Sequence, residues 1–273
     1  MNKLHVLYHG YMYLDVNSLV GGTVTSTAAD PSPRLEWTTI PAVSFLIDTG
    51  AGYILFDTGC DPLGMSEHWA ESNKNASPFV GAEGGSAAER LAALGVRPED
   101  VGTVVMSHLH TDHSGGLHLF KNADVYVSDE ELTQVAKLWA LGVEKPAYDR
   151  SDMAAYFGAG LRWRPVEREE QELPLAPGVT ILNMGSGHTW GMLALHVELE
   201  HTGGVLLVSD AIHTRENAGP PVRSPAMVYD SLGYAATVKR IFRYAAAHNA
   251  RVVYGHDTAQ VDEMVNAHRG YYD

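Results

Sequence analysis

The chain has 273 residues, 45% of them hydrophobic and 19% charged, a balance that excludes a disordered or fibrous protein. Its 33 acidic and 19 basic residues give a formal charge of −14 with no Lys/Arg run to track a phosphate backbone, which argues against a nucleic-acid partner. The one cysteine, Cys60, leaves no intrachain disulfide, and no stretch is long and apolar enough to span a bilayer.

Taken in chain order, the N-terminal MNKLHVLYHGYMYLDV is interrupted by His5, His9, Gly10 and Asp15 and lacks the continuous apolar region of a signal peptide. With the lone cysteine, this predicts a cytoplasmic protein. Lys3 to Tyr8, Ala42 to Ile47 and Tyr53 to Phe56 are rich in β-branched and aromatic residues between turn residues, and read as strands. Asp61 to Gly85 reads as a loop. Ser86-Ala-Ala-Glu89 is a capping box that opens a helix running to Gly95. Thr103 to Ser107 is a short apolar strand. Ser128-Asp-Glu-Glu131 repeats the capping-box pattern, with a helix running toward Gly142 as its stop signal. Arg164 to Gly178 and Thr214 to Pro225 read as loops. Val179 to Met184, Val205 to Ser209 and Arg251 to Gly255 are strands, and helical spacing predicts helices over Leu232 to His248 and Thr258 to His268. The length suits one layered α/β domain over residues 1–273.

The strand at Thr103 to Ser107 runs straight into His108-Leu-His110-Thr-Asp112-His113. A tight turn after a strand can point His108 and His110 to one side of a metal pocket while Asp112 and His113 supply a second position. Imidazole and carboxylate without thiolate suit zinc. The rival reading is a polar turn of hydrogen-bonded histidines. His188, Asp210 and His256 are weaker one by one, because a lone His or Asp after a strand is commonly a cap or turn residue. Their order is informative, since each follows a predicted strand, where α/β proteins build their sites. A carboxylate such as Asp210 can also bridge two cations where an imidazole cannot.

These residues resemble the His-x-His-x-Asp-His signature of the metallo-β-lactamase superfamily. The later metal positions of that family are matched by His188 in SGSGHTWG, Asp210 in VSDAIH and His256 in VYGHD, and Asp57-Thr58-Gly59 resembles its Asp-Thr-Gly turn. The resemblance implies a four-layer αβ/βα sandwich with two zinc ions at one edge. His108, His110 and His188 would bind one ion, Asp112, His113 and His256 the other, and Asp210 would bridge them.

Within the superfamily the chain is most similar to N-acyl homoserine lactonases. That implies a small lactone as partner, opened by hydroxide held between the metals, with Asp112 shuttling a proton to the leaving oxygen. Those enzymes usually carry a Tyr three residues after the bridging Asp. His213 stands there instead, and could donate an N–H to a developing oxyanion. Met65, Trp69, Phe79, Trp139, Tyr148, Tyr156 and Phe157 are candidates for an acyl pocket, of which two or three are expected to meet substrate. A thioesterase of glyoxalase II type is the main enzymatic alternative, although the stretch after His256 is short for one. A non-catalytic metal-binding module is the other, and a homodimer is left open.

Overall fold

The computed structural model describes residues 1–266 and 270–273. The chain starts with β1 (Lys3–Asp15), α1 (Val16–Leu19) and β2 (Trp37–Asp48), the two strands pairing antiparallel from Lys3–Asp48 to Asp15–Trp37. There follow β3 (Tyr53–Phe56), a π-helical turn (Gly64–His68), α2 (Glu71–Ala76), β4 (Phe79–Gly81), α3 (Ala87–Ala93), β5 (Val101–Val105), α4 (Thr111–Ser114) and β6 (Asp124–Ser128). Next come α5 (Asp129–Leu141), α6 (Arg150–Gly158), β7 (Arg162–Val166), β8 (Glu172–Ala176), β9 (Val179–Gly185), β10 (Met192–Leu199) and β11 (Gly203–Ser209). The chain closes with α7 (Arg215–Ala218), α8 (Ser231–Ala247), β12 (Ala250–Tyr254) and α9 (Thr258–Val265).

Among the described residues the strands form two sheets, ordered β4-β1-β2-β3-β5-β6-β7 and β12-β11-β10-β9-β8. Alternation along each strand sends successive side chains to opposite faces, which divides the apolar residues into layers. Phe45, Phe56 and Val105 of the first sheet meet Leu193, Leu195 and Leu207 of the second in the central core. Their neighbours Leu46, Leu55 and Val104 point the other way, onto Leu91 of α3, Val135 of α5 and Met153 of α6. Leu206 and Val252 do the same toward Tyr234, Val238 and Ile241 of α8. The result is the expected sandwich of helices, sheet, sheet and helices.

The capping box at Ser86 forms, with Glu89 N–H donating to Ser86 Oγ at 3.3 Å and Ser86 N–H to Glu89 at 3.1 Å. The one expected at Ser128 does not. Ser128 Oγ donates to Glu130 Oε2 at 2.9 Å, and Glu131 turns into the core with no solvent exposure. Helix α5 does stop at Gly142, which takes the left-handed conformation (φ 67°).

Arg164 to Gly178 is not a loop, because β7 ends in it and β8 lies within it. Both are edge strands, the position where Pro165 and Pro174 cost no ladder hydrogen bond that a neighbour needs. Asp61 to Gly85 likewise carries the π-helical turn, α2 and β4. Helix α9 runs from Thr258 to Val265, and the expected end at His268 lies outside the described residues. Among the described residues no helix is long and apolar enough to cross a membrane.

Candidate metal centre

The site is assembled where strands end. Asp57 follows β3, His108 and His110 follow β5, and Asp112 and His113 lie on α4. His188 follows β9, Asp210 and His213 follow β11, and His256 follows β12. Backbone bonds lock these ends together. Thr58 N–H and its hydroxyl both donate to the His113 carbonyl at 2.7 Å, and His256 N–H donates to the His213 carbonyl at 2.7 Å.

All seven sequence-identified ligand candidates converge. Their side-chain donor atoms form two buried sets, His108, His110, His188 and Asp210 in one and Asp112, His113 and His256 in the other. Asp210 stands between them with its two oxygens divided. Oδ2 lies 3.3 Å from His188 Nε2 and 4.0 Å from His108 Nε2, while Oδ1 lies 3.0 Å from His256 Nε2 and 3.4 Å from His113 Nε2. Asp112 Oδ2 approaches the second set, at 3.3 Å from His113 Nε2 and 3.5 Å from His256 Nε2.

Hydrogen bonds on the far side of each ring fix which nitrogen faces inward. His113 Nδ1–H donates to Asp57 Oδ2 at 2.9 Å, and His256 Nδ1–H donates to the Pro41 carbonyl at 2.9 Å. Ser107 Oγ donates to Asp57 Oδ2 at 2.8 Å and so accepts from His108 Nδ1–H at 2.9 Å. In all three histidines the ring nitrogen turned toward Asp210 is therefore Nε2. Ser209 Oγ adds a 3.2 Å bond to Asp57. His108 Nε2, His113 Nε2 and Asp210 Oδ1 find no hydrogen-bond partner among the described residues. A cation on each side of Asp210 would satisfy all of them, so the donor set fits two metal ions.

Protonation divides the two sets: burial opposes a charge on His113 and His256, but Asp112 and Asp210 outweigh it and raise both rings above the usual imidazole range. Burial holds His108 and His188 well below the usual imidazole range and His110 down to about 3, so these rings are neutral and able to ligate. Burial opposes ionisation of Asp210, but His256, His213 and His113 overcome it and hold the carboxyl well below its ordinary value. Asp112 is governed in the same way, burial being outweighed by His113 and His256.

Gly255 is required by close approach. A Cβ there would stand 2.6 Å from Asp210 Oδ1, within the space of the shared carboxylate.

A cavity of about 170 Å³ borders the centre, with His110, Asp112, His188, Asp210, His213 and His256 at one end. Its other walls include Met12 and Leu14 of β1, Ile40 of β2, Asn73 and Ala76 of α2, Trp69, Pro146 and Met227. Of the seven aromatic and Met candidates for the pocket, only Trp69 lines it. Trp139, Tyr156 and Phe157 pack with Trp163 in the core behind α5 and α6, and Met65 and Phe79 pack around Met12 and Trp69. The expected Asp61 to Gly85 segment does supply part of the wall, through Trp69, Asn73, Ala76 and Ser77, while Met12, Leu14 and Ile40 of β1 and β2, which pass as ordinary sheet core in the sequence, supply another part. Tyr148 is buried with its ring 4.5 Å from that of His110. His213 lies at the cavity with Nε2 3.2 Å from Asp210 Oδ2.

The chain is 36% identical over 274 residues to the N-acyl homoserine lactonase AiiB of Agrobacterium fabrum, covering 100% of this chain and 99% of that one. It is 29% identical to an N-acyl homoserine lactonase of Bacillus cereus, over 95% of each chain. The structure of a B. thuringiensis AiiA with N-decanoyl-L-homoserine bound at the active site superposes with a TM-score of 0.79 at 24% identity, over 96% of this chain and 95% of that one. The metallo-beta-lactamase superfamily profile matches residues 37–256, and the chain belongs to that superfamily.

Proposed function

We propose that the protein opens the ring of N-acyl homoserine lactones, with two zinc ions bound by His108, His110 and His188 on one side and Asp112, His113 and His256 on the other. The observation that carries this reading is the division of Asp210, whose Oδ1 faces one ligand set and Oδ2 the other. The lactonase relatives, matched over the full chain, supply the substrate class.

Two zinc ions so placed supply hydroxide near neutral pH and Lewis acidity at a carbonyl oxygen. The chain's own groups then do the rest. Asp112 is ionised and borders the cavity, so its carboxylate can take a proton there and return it to the ring oxygen as the C–O bond breaks. His213 Nε2 lies 3.2 Å from Asp210 Oδ2 at the cavity, where its ring could donate an N–H to a carbonyl oxygen and take the part usually filled by a Tyr hydroxyl. Met12, Leu14, Ile40 and Trp69 exclude water and receive the acyl chain. An apolar cavity of roughly 150 Å³ accepts benzene, so the 170 Å³ here has room for a ring the size of a five-membered lactone.

The test is acid release in a pH-stat on a panel of acyl homoserine lactones, thioesters and phosphodiesters, with metal-loaded and chelated protein. The expected result is one equivalent of acid per lactone, lost on chelation and restored by zinc. Preferential hydrolysis of thioesters would favour the glyoxalase II-like alternative, and no chelator-sensitive turnover would reduce the protein to a metal-binding module.

A further inference from the structure

Glu131 sits on the buried face of α5, one turn before Val135, and has no solvent exposure. A carboxylate there needs donors, and they come from the segments that carry the first ligand set. Its Oε1 accepts from Leu109 N–H at 3.1 Å and from Tyr148 Oη at 2.8 Å. Leu109 lies between His108 and His110, and the Tyr148 ring stands edge-on to that of His110, with centroids 4.5 Å apart at 74°. On its other side Tyr148 packs against Trp190, two residues after His188, at 5.2 Å. The turn after His188 is also pressed onto the start of α5. A Cβ on Gly191 would stand 1.9 Å from Ser128 Oγ and 3.4 Å from the Glu131 amide nitrogen.

One carboxylate therefore ties the His108–His110 turn to the ring that abuts His110, and the segment bearing His188 packs on that ring through Trp190 and on the start of α5 through Gly191. Among the described residues it makes no hydrogen bond to α4 or to the segment carrying His256; His113 is held instead by Asp57 and Thr58, and His256 by Pro41. The geometry points to Glu131 as a positioning residue for the His108, His110 and His188 subsite alone, setting those imidazoles for one ion and leaving the other subsite untouched. This rests on the two-metal reading above. The donors explain why the position needs an acceptor: a side chain without one would orphan the Leu109 amide and the Tyr148 hydroxyl in the core, and the turn would shift to find partners.

The experiment compares Glu131→Met, Glu131→Gln and Tyr148→Phe with the parent. Zinc affinity is measured by competition with a chromophoric chelator, and the visible spectrum of the cobalt-substituted protein is recorded. In Glu131→Met one of the two ions should bind about 10- to 100-fold more weakly, with the other within about twofold, and the cobalt spectrum of the affected subsite should change. Glu131→Gln keeps an acceptor oxygen and should stay within about threefold of the parent. Tyr148→Phe should weaken the same ion, by less. The proposal is overturned if Glu131→Met keeps both affinities and the parent spectrum, if it loses both ions equally, or if Glu131→Gln is no better than Glu131→Met. Should Glu131→Met fail to fold by circular dichroism, Tyr148→Phe decides, and parent affinities in that variant also overturn it. A parent that opens lactones while the variants bind both ions normally sinks the positioning role only. The predicted one-ion loss in a protein that opens no lactone sinks the activity reading only.

Discussion

His113 Nδ1–H donates to Asp57 Oδ2 at 2.9 Å, and that bond leaves Nε2 as the nitrogen facing Asp112 and Asp210. The same oxygen accepts from Ser107 and Ser209, so Asp57 Oδ2 gathers three donors, from the end of β5, from α4 and from the end of β11. Asp57→Asn would replace an oxygen with an amino group in a position surrounded by donors. The expected outcome is a zinc affinity lower by about 10- to 100-fold at the subsite containing His113. Zinc content after dialysis against a graded series of chelator concentrations measures it.

Gly255→Ala tests the shared carboxylate without touching a ligand. The new Cβ would meet Asp210 Oδ1 at 2.6 Å and the Ser209 backbone at 2.7 Å, so Asp210 must move. Because Asp210 faces both sets, both ions should weaken together. Overpacking should also lower stability by about 1–3 kcal/mol. Paired zinc titration and urea unfolding separate the two effects.

His213 divides binding from turnover. It borders the cavity and contacts Asp210, yet belongs to neither ligand set. His213→Ala should keep both ions and lower kcat by about 100-fold, whereas His213→Tyr should retain most of the parent rate. Loss of zinc in His213→Ala would make the residue a support for Asp210 rather than a donor to substrate.

Chain-length preference should follow the β1–β2 wall. Ile40→Trp fills the apolar end of the cavity, remote in sequence from every ligand. KM for an octanoyl lactone should rise about tenfold while the butanoyl lactone changes by less than about twofold, given that a few methylenes in an apolar pocket are worth roughly 1–3 kcal/mol. Steady-state kinetics on the two substrates measure the difference.

Acid sensitivity should come in part from His9. Burial lowers its pKa from 6.5 to about 4 while its ring bonds Gly85 O and Ser44 Oγ. Between those values the unfolded chain holds a proton that the folded chain does not, so stability rises with pH across this window and falls as pH drops through it. The group is protonated in both states below about 4 and in neither above 6.5. The contribution is roughly 3 kcal/mol across the window. His9→Gln should flatten the dependence, as read from urea midpoints of metal-free protein at several pH values.

The metal cluster was legible in the sequence because its chemistry is local. Four ligand-type residues fall within His108 to His113, and the strands before His188, Asp210 and His256 have plain apolar patterns. What was not legible depends on partners distant in sequence. Strand β1 continues past His9 and Gly10, which read as a turn, because Gly10 (φ 140°) sits at a register shift and leaves room for β4, where a Cβ would meet the Val80 carbonyl at 2.2 Å. Glu131 looked like a helix cap, although its place one turn before Val135 puts it on the apolar face of α5, a spacing that marks it as a buried carboxylate in need of donors. The pocket wall of Met12, Leu14 and Ile40 carries no polar signature at all.

The most direct measurement is an anomalous-difference map from crystals grown with zinc and recorded on both sides of the zinc absorption edge. Two peaks about 3.5–4 Å apart, one against Asp210 Oδ1 with His113 and His256 and one against Asp210 Oδ2 with His108 and His188, are the predicted result. A single peak, or a second peak away from Asp210, would contradict the dinuclear site.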